Sequence, residues 1–222
     1  MRINRNNTQS TNRPIPQPGE IWEVSRLVQS PLEFSNEEQQ SLYPSSVQRF
    51  LAGNSPPRYV MITEEPEASV EKEQQWAIVI VMFLSVKTEF LNDVDLLIPS
   101  EISGVGQDLL AETWHLIPAL TCNLLQPVGK KLSREIYNHL LAVGDYYHGL
   151  IEELPVVLET RRLGLVSGNL DAAKNSAIQV FHQQEEAWSD VLTVPVAAYQ
   201  TYLESIKFTN AVLDEALHLE QE

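Results

Sequence analysis

The chain has a single cysteine, Cys122, so no intramolecular disulfide can form, and nothing in it resembles a thiol or zinc cluster. A reducing compartment is the natural expectation. Basic charge is scarce as well: 15 lysines and arginines face 30 acids, for a formal net charge of -15 over 222 residues. Attraction to a phosphate backbone is therefore opposed over most of the surface, and any RNA contact has to be local. Long apolar runs are missing too. The longest, AIVIVMFLSV from Ala77 to Val86, is about half of the ~20 residues that a membrane helix needs, and the opening MRINRNNTQSTNRP has no apolar signal core. A cytoplasmic protein without a membrane partner is expected. The five histidines are scattered and none has metal-ligand spacing such as HExxH, so neither a metal nor another cofactor is expected. Gly104 and Gly106 lack the third glycine of a nucleotide loop and read as a turn.

What is present organises into three parts. Residues 1–18 mix Asn, Thr, Ser, Arg and proline without periodicity and read as a flexible arm. Residues 19–150 carry five strand-like runs: EIWEV, RYVMIT, WAIVIVMFLSV, VDLLIP and ETWHLIPA. The third is apolar enough to need cover on both faces. A long connection, residues 27–57, supplies short helical turns begun by Ser35 or Ser45, and the acidic run Glu64 to Glu73 reads as a solvated turn. Five closely spaced strands predict a small barrel. From Ser133 the period changes, with Ile136, Leu140, Val143, Tyr147 and Leu150 forming a helix that seals it. Residues 151–222 form a helical appendage, in which 152–168 are ambiguous between helix and extended chain. Beyond Gly168 one stripe runs through Leu170, Ala173, Ala177, Phe181, Trp188 and Leu192, and another through Val196, Tyr199, Leu203, Ile206, Leu213 and Leu217. Pro195 between them predicts a helical hairpin.

The order PGEIWEV, PRYVMIT, AIVIVMFLSV, SGVGQDLLAETWHLIPALTCNLLQPVGKKLS and then a helix resembles the MazF/PemK (Kid-like) toxins of bacterial toxin-antitoxin systems, over residues 18 to 145. The resemblance implies a mixed fold, an SH3-like barrel closed by a helix, that dimerises and cuts single-stranded RNA without metal. In that chemistry a 2'-hydroxyl attacks the adjacent phosphorus, so a proton must be removed, another supplied, and phosphate charge stabilised. It places Arg58 at the family's strand-opening arginine and Ser85 at its phosphate-contacting Thr or Ser. The family's Asp-Gln-Ile-Arg run is replaced by Glu112, Thr113, Trp114 and His115, which loses the arginine and leaves Glu112 and His115 as candidate proton carriers. Tyr59 replaces a proline, and only Arg26 and Arg49 stand near the long first loop.

Each candidate also has a plain reading. Arg58 can be a strand-end arginine in a surface ion pair, Ser85 the end of a buried strand, and His115 an exposed strand position. Asp93 and Asp95 read as solvent-facing. Trp22, Trp76 and Trp114 read as core or rim, and Lys130, Lys131 and Arg134 as a helix-start surface feature. Three functions are therefore expected in order: a MazF/PemK-like interaction or regulatory module with a decayed cleavage site, an active endoribonuclease, and an adaptor that binds a protein partner through its helical hairpin. In the first, fourteen acids against four bases after Arg134 suit an appendage that fills the groove where family members take an acidic antitoxin tail.

Overall fold

A computed structural model of the chain describes residues 14–32, 42–66, 76–154, 156–168 and 175–219, with side chains as far as residue 209. The fold is mixed. Seven strands, β1 (Ile21–Val24), β2 (Tyr59–Ile62), β3 (Ile78–Ser85), β4 (Leu96–Ile98), β5 (Leu109–Leu120), β6 (Leu124–Val128) and β7 (Val166–Ser167), form one sheet in the order β6-β1-β2-β3-β5-β4-β7. Each pairing is antiparallel. The helices are α1 (Ser45–Leu51), α2 (Ser100–Ser103), α3 (Arg134–Tyr147), α4 (Val157–Arg162) and α5 (Asn175–Leu219).

The apolar run of β3 has the cover it needs on both sides. Val79, Val81 and Phe83 pack with Val47 and Phe50 of α1 and with Trp188, Val191 and Leu192 of α5. Met82 and Leu84 point the other way, onto Ile136, Leu140 and Val143 of α3. Two covered faces also explain β1, where Trp22 and Val24 join the first layer and Ile21 the second, so that no residue has to compete for the interior. Each such side chain contributes ~1.5–3 kcal/mol on burial. Helix α3 starts as the sequence requires: the Ser133 hydroxyl accepts the Ile136 N–H at 3.3 Å. Its stripe ends earlier than expected, because Tyr147 and Leu150 are exposed.

Helix α3 approaches the sheet at a glycine. A Cβ on Gly144 stands 2.6 Å from the Thr113 carbonyl oxygen. Alanine is worth up to ~1 kcal/mol over glycine inside a helix, but here the backbone of β5 must move to admit it. Gly144→Ala is expected to lower stability by about 1–3 kcal/mol in urea unfolding; a gain would show that helix and strand separate freely.

Two expectations about shape are corrected. The sheet is open, with β6 and β7 at its ends, because the three-residue β4 gives its outer edge to β7 instead of meeting β6. The barrel closure is therefore not made by ladder hydrogen bonds among the described residues. The helical hairpin is replaced by one helix that runs through Pro195. Proline removes the donor that would meet the Val191 carbonyl and costs ~3 kcal/mol in a helix interior. Val191, Leu192, Val196 and Tyr199 are all buried on either side of it, and a turn at Pro195 would lift one pair off the sheet. Burial outweighs the broken hydrogen bond.

Smaller differences follow the same logic. The ambiguous segment resolves into α4 and the two-residue β7, and β6 adds a strand that the sequence pattern did not suggest. Gly104 and Gly106 do form turns, at φ of 68° and 83°. The first loop is fixed by Arg26, whose guanidinium donates to the carbonyls of Phe50 and Ser55 at 2.8 and 2.7 Å. Residues 1–13 of the arm, Ser35, Glu67 to Glu73 of the acidic run, and Leu170 and Ala173 of the first stripe lie outside the described residues. So do the side chains of Leu213 and Leu217.

Candidate functional site beneath the C-terminal helix

The four candidate residues gather on the sheet face that α5 covers. With Tyr59 opposite Leu84, the β2–β3 register brings Arg58 to the end of β3, beside Ser85. Ser85 is buried and its hydroxyl accepts the Lys87 N–H at 3.3 Å. Between β3 and β5 the register jumps: Leu84 faces Ala111 but Met82 faces Leu116. Glu112, Thr113, Trp114 and His115 therefore bulge out together opposite Phe83 alone. Bulges of this kind re-aim side chains, and this one turns both Glu112 and His115 into the protein. Glu112 Oε2 and His115 Nδ1 lie 3.1 Å apart.

What covers them is Glu185 of α5, 1% exposed, whose Oε2 accepts a hydrogen bond from Arg58. Lys87 approaches its other oxygen at 3.7 Å, an ion pair too long to be a hydrogen bond. The Arg58 guanidinium also stacks over Trp188 at 4.6 Å from the ring centre. Trp188 in turn meets Phe50 and Phe83 edge-on. His182, one turn before Glu185, lies 3.3 Å from the Asn92 carboxamide and touches the Trp114 ring. Arg58 is thus neither a surface ion pair nor a free phosphate ligand: it is held by a carboxylate and an indole from the same helix.

Burial sets the electrostatics. Desolvation pushes the Glu112 carboxyl well above its ordinary range; Glu185 and Asp95 push it further, against Arg58 and Lys87. Asp95, expected to face solvent, is instead fully buried, and desolvation raises it to about 8 despite the nearby Trp114 and Asn92 donors. Only Asp93 of that pair is exposed: it lies in the turn before β4, whereas Asp95, the residue just before the strand, is turned inward near Glu112 while Leu96 fills the opposite layer. His115 is lowered to about 4, by desolvation first and then by His182 and Arg58, and His182 is lowered by desolvation. These shifts favour the uncharged forms of Glu112, Asp95 and His115, and Arg58 and Lys87 are the cations nearest to Glu112. His115 is buried between Phe83 and Trp114, at ring-centre distances of 4.5 and 4.6 Å.

Such a set can bind an anion through Arg58 and Lys87 and exchange a proton between Glu112 and His115. Among the described residues no group of three or more His, Cys, Asp or Glu is arranged to hold a metal ion. No described helix is long and apolar enough to cross a membrane. The residues missed in the sequence are Glu185, Lys87, Trp188, His182 and Asp95. Glu185 left one signal, since it occupies the step between Phe181 and Trp188, where the apolar stripe of α5 calls for a core residue. The chain matches no family model, and none of the curated proteins compared with it matches its sequence.

Proposed function

We propose that this chain is a MazF/PemK-like interaction or regulatory module, its sheet a divergent and opened form of the family's SH3-like barrel, with its own C-terminal helix seated on the phosphate site. The observation that supports this most is Glu185. A carboxylate offers two oxygens in the geometry that a guanidinium fork takes from phosphate, and Glu185 delivers one of them to Arg58 in the interior. The acidic excess after Arg134 suits a segment that competes with an acidic ligand for the same two cations. In this reading the protein is not a working nuclease while α5 is seated, because RNA cannot reach Ser85, Glu112 or His115.

A second reading is favoured by the Glu112–His115 hydrogen bond beside Arg58: an endoribonuclease held inactive. There Arg58 stabilises phosphate charge, Ser85 positions the phosphate, and Glu112 and His115 carry the protons. Both readings are tested by Glu185→Ala, since complete removal of α5 would strip Phe181, Trp188, Val191 and Leu192 from the core. Mixed single-stranded RNAs are incubated with wild type, with Glu185→Ala, and with Glu185→Ala carrying Arg58→Ala, in EDTA. Glu185→Ala is expected to bind RNA at least tenfold more tightly than wild type, and the added Arg58→Ala to abolish the gain. Equal binding by all three rejects the covered phosphate site. New 2',3'-cyclic phosphate ends from Glu185→Ala alone select the nuclease reading.

A further inference from the structure

Beneath α5 lie three carboxyl groups, Asp95, Glu112 and Glu185, all at most 1% exposed, against two cations. Among the described residues Glu185 Oε1, Glu112 Oε1 and both oxygens of Asp95 make no hydrogen bond of ordinary geometry, although Trp114 and Asn92 stand near enough to Asp95 to oppose its upward shift. Three adjacent carboxylates in a low-dielectric interior cannot all be charged against Arg58 and Lys87 without leaving buried negative charge unpaired. The helix brings the third of them. We propose that α5 is held on the sheet by a proton-gated latch, in which Asp95 and Glu112 keep their protons while Glu185 is seated over them and lose those protons when the helix lifts.

The charged and titratable groups that face this cluster come from several elements. Arg58 precedes β2, Lys87 follows β3, Asp93 and Asp95 precede β4, Glu112 and His115 sit in the β5 bulge, and His182, Glu185 and Glu186 belong to α5. Seating tightens the whole group through three contacts made by two side chains: Glu185 on Arg58, His182 on Asn92, and His182 against Trp114. The sign follows from which form each group keeps when seated. Asp95 is raised from 3.8 to about 8 and Glu112 is raised as well, so their contribution to seating is complete in acid and lost as pH rises through that window. His115 is lowered from 6.5 to about 4 and His182 is lowered too, so their contribution is complete above 6.5 and lost in acid. Between about 4 and 6.5 the two sets oppose each other. A unit or more above 6.5 the histidines are neutral whether the helix is seated or lifted, and the carboxyls act alone; nearer 6.5 lifting leaves the histidines partly charged, which works against the carboxyls.

The latch is independent of whether the covered site handles RNA, and its test reads the helix only. Amide hydrogen exchange of residues 178–199, corrected for the intrinsic effect of pH, is measured on the full chain at pH 6.5 and pH 8, with the β3 amides as an internal reference. A full proton released over that interval makes lifting roughly 30-fold more favourable; Asp95, raised to about 8, is half charged at the upper pH even when seated and so accounts for roughly 15-fold, to which Glu112 adds. The expected result is a rise of that size or more in α5 with β3 still protected. Asp95→Asn combined with Glu112→Gln keeps the shapes and removes the protons, and is expected to cut the rise to under about threefold. If the double variant does not fold, Asp95→Asn alone is expected to lower the slope by one proton. A flat wild-type profile, equal loss of protection in β3, or an unchanged slope in the variant that folds overturns the latch.

Discussion

Arg58→Ala is expected to destabilise the protein by about 3–5 kcal/mol, because it leaves a buried carboxylate without its hydrogen-bonding partner. Glu185 is 1% exposed and Lys87 stands too far off, at 3.7 Å, to replace the lost donor. The substitution also removes the cation from the face of Trp188, a contact worth ~0.5–2 kcal/mol when desolvated. The cost belongs to the stranded charge and not to the net worth of the pair, which gives the argument its check. Arg58→Met combined with Glu185→Leu removes both charges and keeps the volume, and is expected to come within ~1.5 kcal/mol of wild type. Denaturant unfolding of wild type, Arg58→Met, Glu185→Leu and the double variant closes the cycle. A single substitution that costs under ~1 kcal/mol would mean that Glu185 reaches water or holds a proton when Arg58 is gone, and that Arg58 is not what seats the helix.

Trp188→Ala should cost about as much, ~3–5 kcal/mol, by a different route. Its ring is 2% exposed and sits in the corner made by Phe50 of α1 and Phe83 of β3, with ring centres at 5.0 and 5.3 Å. Removing it opens a cavity where the connection, the sheet and the last helix meet, and takes the stacking surface away from Arg58. For a chain of this size, such a loss lowers Tm by roughly 6–20 °C, readable by calorimetry. Trp188→Phe keeps an aromatic edge and is expected to lose less than half as much. If alanine and phenylalanine cost the same, the site is closed by collapse and the ring's own contacts are not what holds α5 down.

The elements that were legible in the sequence are those whose neighbours do not alter the pattern. EIWEV, RYVMIT and the β3 run announce strands through β-branched and aromatic residues, and Ser133 announces α3 through its hydroxyl. β6 was hidden because LLQPV contains a proline and lies exposed along three of its five residues, so it has neither the composition nor the alternation of a strand. β7 has two residues, too few to carry any period. Pro195 misled in the opposite sense: locally it ends a helix, and only the burial of Val191, Leu192, Val196 and Tyr199 keeps it in one. At the site, Arg58, Ser85, Glu112 and His115 were picked out by the resemblance and do converge in space. Their partner could not be found that way, since Glu185 stands over a hundred residues away on a segment the resemblance does not cover. Asp95 escaped because alternation gives it a face but not the identity of what covers that face.

The place of α5 in chain order bears on synthesis at the ribosome. Every strand it covers is complete before its own 45 residues are made, which at usual elongation rates takes roughly 2–9 s. During that interval the α5-facing residues of β3, Val79, Val81 and Phe83, lack their last layer, while α3 can already shield the opposite side. The nascent chain therefore passes through a half-clad stage in which a sticky sheet surface and the unmatched Arg58 face the cell, open to chaperones or to any acidic helix nearby.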